Sequence, residues 1–235
     1  MLYWLRAGCA WRLLPNDLPP WKTVYHYFRC WRLDGRWQQI VRVLRARERV
    51  RQGRRPTPSA AVLDSQSVKT TERGGRTATT APRRPGGRKR HLLVDTLGLL
   101  LAVHVSAADV SDRDGAMALL RRLDRRHLPR LRQGWADGGD RGAFLAWALA
   151  RSKITFEVVA RADGGRRRRW LPPEVEPPVV PRFAVVPRRW VVERTFAWLG
   201  RFRRLSKDYE FLPATSEAVI HLAMIQLLVR RLAGK

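Results

Sequence analysis

The run Ala60-Ala61-Val62-Leu63-Asp64-Ser65 limits the fold more than any other stretch of the chain. It is short, apolar on successive residues and ends in an acid. Alternation would mark a strand with one wet face; an unbroken run marks a strand buried on both faces. Such a strand needs a sheet around it and a layer above and below. Two further apolar runs follow, Arg90-His91-Leu92-Leu93-Val94 and Leu99 to Val105, joined by Asp95-Thr96-Leu97-Gly98. Glycine in the joint makes them a β-hairpin. Ser111 or Asp112 then caps a helix predicted through His127, with Ala116, Leu119, Leu120, Leu123 and Leu128 on its inner side. Leu131 to Ala136 reads as a weak strand, about Arg141 to Ser152 as a helix, and Thr155 to Ala160 as a strand. The order predicts a mixed α/β sheet flanked by helices.

Residues 1–50 are helical and aromatic. Trp21, Val24, Tyr25, Phe28 and Trp31 recur at helical spacing, Asp34-Gly35 breaks the rhythm, and Trp37, Ile40, Val41 and Leu44 resume it. Arg29, Arg32, Arg36, Arg42 and Arg45 are expected outside. The pattern fits a helix-turn-helix and fits equally a helical hairpin packed on the main domain. Residues 51–59 are polar and contain proline, which suggests a linker, so the expected partition is 1–50, 51–59 and 60–235. Lys69 to Arg88, Gly164 to Arg169 and Pro172 to Pro181 read as loops, the first one ordered by nucleic acid. The last helix, from near Ser216, is apolar nearly all round and is expected to be buried.

Charge narrows the function. Lys and Arg number 47 against 20 Asp and Glu, a formal net charge of +27. Self-repulsion on that scale points to a polyanionic partner, with nucleic acid first, an anionic membrane surface second, and arginine bias in the coding sequence as the alternative. Cys9 and Cys30 have no metal-ligand spacing and read as buried thiols in a reducing cytoplasm. No signal peptide is visible, and the longest apolar stretch, Ala218 to Val229, is too short for a membrane span. These features predict a soluble, cytoplasmic chain.

Three carboxylates stand out. Asp64 closes the first strand, and Asp137 closes the strand after the long helix. Strand carboxyl ends are where open α/β sheets place their sites. Glu193 lies in a helix expected from Pro187, among Trp190, Val191, Ala197, Trp198, Phe202 and Leu205, four residues after Arg189. One reading makes it a solvated ion pair with Arg189; the other has two tryptophans hold it inward as part of an acid cluster. Three facing acids repel unless a cation lies between them, and hard oxygen ligands suit Mg2+ or Mn2+. Two such ions can activate an attacking oxygen and stabilise a leaving one in phosphodiester chemistry. Taken singly, Asp64 also suits a turn and Asp137 an ordinary Asp-Gly turn. Lys89, Arg90, His91, Arg189, Arg201, Arg203, Arg204 and Lys207 are candidate phosphate contacts, or parts of a solvated basic face.

Several blocks carry a resemblance: Leu63-Asp64-Ser65-Gln66-Ser67-Val68-Lys69-Thr70, Gly87-Arg88-Lys89-Arg90-His91, Val94-Asp95-Thr96-Leu97-Gly98, Ala136-Asp137-Gly138-Gly139, and Arg188 to Leu199 with Arg203-Arg204-Leu205 and Asp208-Tyr209-Glu210. So do Gly8 to Pro15 and Trp21 to Tyr25. Together they resemble a bacterial insertion-sequence DDE transposase of the family-five group. The resemblance implies an RNase H-like catalytic domain, a divalent metal on Asp64, Asp137 and Glu193, and DNA as partner. It implies cleavage at transposon ends and transfer of the freed 3′-OH into target DNA. A homodimer on paired ends and a nucleoid-associated location go with it. A catalytically inactive DNA-binding remnant and an RNase H-type nuclease without strand transfer are the rival readings. The chain departs from the family pattern in three ways. Asp140 stands where Tyr is usual; Val186 and Gly200 occupy the positions of a Tyr and a Lys flanking the Glu; and members usually carry more residues before the segment matching Met1, so a truncated N-terminal region is expected.

Overall fold

The computed structural model describes residues 1–71, 87–137, 143–159 and 190–234, with the side chains of 137, 143 and 159 also outside the described set. The loop expected from Lys69 to Arg88 is shorter at both ends, because Lys69 and Arg88 belong to paired strands. Its residues 72–86, the expected loops 164–169 and 172–181, and Arg189, Val186 and Asp140 lie outside the described residues.

Three helices open the chain: α1 (Leu2–Ala7), α2 (Trp21–Leu33) and α3 (Arg36–Arg51). The break at Asp34-Gly35 falls as the sequence predicts, with Gly35 in the left-handed region that favours glycine. Then come β1 (Ala60–Lys69), β2 (Gly87–Asp95), β3 (Leu100–Ala107), α4 (Asp112–Arg121), β4 (Gln133–Asp137), α5 (Ala143–Ser152) and β5 (Thr155–Val159). The chain closes with α6 (Trp190–Gly200) and α7 (Pro213–Leu232). The Ser111 hydroxyl does cap α4, accepting from the Asp114 N–H. The helix is shorter than predicted. It ends at Arg121, and Arg125–His127 form a separate 3₁₀ turn capped by Asp124. The aspartate carboxylate competes for the backbone N–H of Arg126 and so starts a new element.

The described strands form one sheet in the order β3-β2-β1-β4-β5. The β1–β2 and β2–β3 pairs are antiparallel; β1–β4 and β4–β5 are parallel. As its unbroken apolar run requires, β1 is central, and it divides its residues between two cores. Ala61 and Leu63 face α4 and α5 with Leu93, Ala136 and Phe156. Val62 faces the other way, toward the N-terminal helices, α6 and α7, with Leu92, Val94, Val103 and Trp135.

The N-terminal helices are part of that second core: Trp4, Phe28, Trp37 and Val41 share it with Ile220 and Leu228 of α7. The helical-hairpin reading of this region therefore describes its packing. One expectation for α3 fails. Arg45 is not outside; it is 5% exposed and donates to the Leu100 carbonyl at 2.8 Å. Trp37, Val41, Arg45 and Arg49 recur every four residues along the inner side of α3, so the helix buries its arginines in phase with its tryptophan. Cys9 and Cys30 are free and half-buried.

Candidate active site

The described backbone puts two of the three acids on neighbouring parallel strands, each two residues past the last paired position. The β1–β4 ladder pairs Ala60 with Gln133, Ala61 with Gly134 and Val62 with Trp135. Carried two residues on, the same offset sets position 64 beside position 137, at the carboxyl end of β4. Asp64 alternates with Leu63 and so belongs to the face of β1 that bears Val62 and looks toward α6. Its carboxylate is half-buried and accepts from the Ser65 N–H at 2.7 Å. Asp137 ends β4, its backbone paired with Val159, and its side chain lies outside the described set.

Glu193 comes from α6, which packs against β1, β2 and α7. Val191, Val192, Thr195, Phe196 and Leu199 point into the core, and Glu193 is exposed in the first turn. Of the two readings of Glu193, the inward clasp by tryptophans does not hold for its side chain. Trp190 and Trp198 hold Arg194 instead, whose guanidinium lies 4.2 Å and 4.7 Å from their ring centres. The reason is spacing: residues 190, 194 and 198 share one stripe of the helix, and 193 lies off it. Among the described residues no group of three His, Cys, Asp or Glu side chains is gathered to hold a metal. Asp137, the member that the register would supply, is outside that search. As donors, Asp64, Asp137 and Glu193 offer only carboxylate oxygens, which fit Mg2+ or Mn2+ and not a softer metal.

The expected phosphate contacts divide by burial. Arg201, Arg203 and Lys207 are exposed on the segment that follows α6. Lys89 is mostly covered and paired with Asp112 at 3.2 Å. Arg90 and His91 are each 1% exposed, which corrects their expected place on a DNA-facing surface. They lie on β2, a strand covered on both faces. Arg90 donates to the carbonyls of Leu205 and Lys207, at 2.9 Å and 3.3 Å. His91 shares a hydrogen bond with Ser106 at 2.9 Å, and a Cβ at Gly115 would collide with its ring. Burial, with some help from neighbouring His104, pushes the His91 pKa down to about 4. Arg204 is also committed inside the protein: it pairs with Glu210 at 2.7 Å and stacks on Trp4.

These buried cations have a common task. Arg88 reaches Asp208, the carbonyls of Glu210 and Phe211, and the Ser216 hydroxyl. With Arg90 it ties β2 to the stretch 205–211, and so fixes the segment from which Arg201, Arg203 and Lys207 project. The Asp208-Tyr209-Glu210 block is the acidic half of this lock. Sequence reasoning missed it because a run of basic residues at a strand's start reads as surface. The available signal was that Arg88 and Arg90 fall on the same side of the strand as the apolar Leu92 and Val94.

Comparison with known families completes the picture. The model described as a transposase DDE domain matches residues 55–228, and one for transposases of the IS4/5 family (DUF4096) matches residues 1–41. No match was found among curated proteins. The mixed five-stranded sheet flanked by helices is consistent with the RNase H-like fold of a DDE transposase. No helix among the described residues is long and apolar enough to cross a membrane. With the DDE-domain match spanning most of the sequence, the chain belongs to the DDE transposases, of the IS4/IS5 type.

Proposed function

We propose that this transposase cleaves DNA at the ends of an insertion sequence and transfers the freed 3′-OH into target DNA, using Asp64, Asp137 and Glu193. The observation that supports the proposal is the parallel β1–β4 pairing through Val62 and Trp135, which, continued two residues, would set positions 64 and 137 side by side, with the helix that bears Glu193 packed against β1. A divalent cation, Mg2+ or Mn2+, would be held by the three carboxylates and would supply activation of the attacking oxygen and charge stabilisation of the leaving one. The protein's own part is to keep the carboxylates converged and to deliver the phosphodiester. Arg201, Arg203 and Lys207 would take backbone phosphates beside the site, and Arg189 and Lys89 would add to that contact. The N-terminal helices would contribute to end recognition, two copies would act on paired ends, and the enzyme would work at the nucleoid.

The test is a supercoiled plasmid that bears the element's terminal repeats, incubated with Mg2+ or Mn2+. End cleavage followed by joining is expected. Asp64→Ala, Asp137→Ala and Glu193→Ala should each abolish cleavage and leave DNA affinity within a few-fold. A variant that keeps near-full cleavage removes its residue from the site. Shifted DNA without cleavage would mean a binding remnant, and nicking without end preference would mean a nuclease.

A further inference from the structure

The Asp95-Thr96-Leu97-Gly98 turn has no part in the chemistry proposed above, yet it is among the most tightly held places in the molecule. Asp95 is fully buried. One carboxylate oxygen accepts from the N–H groups of Leu97 and Leu99, both at 2.9 Å, and so shapes the turn. The other is ion-paired with Arg49 of α3, itself almost fully buried. From its far side the turn offers two carbonyls to α6. Leu97 accepts from the Arg194 guanidinium at 3.1 Å, and Gly98 from the Thr195 hydroxyl at 2.9 Å. Arg194 and Thr195 are the two residues after Glu193. Contact is close: a Cβ at Gly98 would lie 2.8 Å from the Thr195 hydroxyl and 3.0 Å from the Trp198 ring, and Gly98 has φ +80°.

We infer that this turn is a brace, in which Arg49 and Asp95 on one side and Arg194 and Thr195 on the other hold the first turns of α6 and so set where Glu193 stands over β1. The inference rests on the proposed role of Glu193. Arg194 and Thr195 are positioning residues and touch no substrate. Thr195 also bonds back to the Val191 carbonyl at 3.0 Å, so one hydroxyl spans the helix and the turn. The stacking of Arg194 between Trp190 and Trp198 keeps its guanidinium from swinging off the Leu97 carbonyl. Arg49 makes the brace continuous with the N-terminal helices, so α3 and the helix that carries the glutamate are joined through four side chains. A displacement of α3, as on engaging DNA, would reach Glu193 through the ion pair.

The test compares Arg49→Met, Arg49→Lys, Thr195→Val and Glu193→Gln in the full chain by three readouts. These are amide hydrogen exchange over residues 190–200 without metal, the Mn2+ concentration for half-maximal plasmid cleavage, and thermal unfolding. Thr195→Val and Arg49→Met should speed exchange in α6 about tenfold or more while leaving distant segments unchanged. They should raise the Mn2+ requirement about five- to tenfold with DNA affinity held within about twofold. Arg49→Lys, which keeps the charge, should recover most of both effects. Wild-type exchange in α6 for a folded Arg49→Met and for Thr195→Val overturns the brace. If Arg49→Met does not fold, Thr195→Val decides alone, since it exchanges one hydroxyl for a methyl and leaves the rest of the side chain in place. Glu193→Gln should lose cleavage with α6 exchange unchanged. If Glu193→Gln cleaves normally, the active-site reading fails, and the exchange data still decide whether the brace exists.

Discussion

Acid should destabilise this protein well before it reaches the carboxylates, because two buried histidines are held neutral. Burial pushes both His91 and His221 from 6.5 down to about 4. His91 faces His104, Asp112 and Lys89; His221 faces Glu217 and Arg122, and its ring is hydrogen-bonded to the Glu217 carbonyl at 2.7 Å. The sign follows from which state takes the proton first. The unfolded chain does, at its higher pKa. Stability is therefore complete above about 6.5 and is lost as pH falls toward 4. Between pH 7.5 and 5 each histidine withdraws about 2 kcal/mol, so the pair withdraws about 4 kcal/mol. That is a large part of the roughly 5–15 kcal/mol that holds a domain together. For a chain of 235 residues it corresponds to a fall in Tm of about 8 to 16 °C. Burial raises the pKa of Glu210, which gives its share the opposite sign, so a difference between proteins is the cleaner measure. Differential scanning calorimetry at pH 7.5 and pH 5 should show the fall in wild type and about half of it in His221→Leu. A Tm that does not move, or a fall that His221→Leu leaves intact, refutes the reasoning. The same experiment separates two roles for His91. A histidine on bound phosphate would favour its charged form and tighten DNA binding below pH 6.5, without this loss of fold.

Two further outcomes test the division between buried and exposed cations. Arg90→Met should cost about 3 to 5 kcal/mol in a urea melt, because the carbonyls of Leu205 and Lys207 lose their donor in a buried setting, while the folded fraction binds duplex DNA within about twofold of wild type. A large loss of DNA affinity at unchanged stability would return Arg90 to the interface. Replacing Arg201, Arg203 and Lys207 together by alanine should leave Tm nearly unchanged and lower the slope of log affinity against log salt by about 2 to 3. An unaltered slope in a fluorescence anisotropy titration would remove this segment from the DNA path.

Much of the element order was legible because periodicity needs no partner. The apolar run at 60–65, the hairpin through Asp95 to Gly98 and the helix break at Asp34-Gly35 appear where local spacing put them. Boundaries moved where a side chain intervened, as when Asp124 started a new turn after α4. The resemblance to insertion-sequence transposases was also carried by linear blocks, and the family match agrees with it. Burial of charge was not legible. Arg45, Arg49, Arg88, Arg90 and Asp95 look like surface by residue type, and each is inside because a carbonyl or an opposite charge from elsewhere in the chain meets it.

The sequence alone therefore determined most of the segments that become strands and helices, which carboxylates are candidates for the chemistry, and an excess of positive charge that makes a polyanionic partner the first expectation. Local spacing and net charge are properties of the chain before it folds. The tertiary structure alone decided that the strands carrying positions 64 and 137 lie side by side, that Glu193 stands off the tryptophan stripe, and which arginines remain outside. Those are distances between residues far apart in the chain, and only packing and strand register set them.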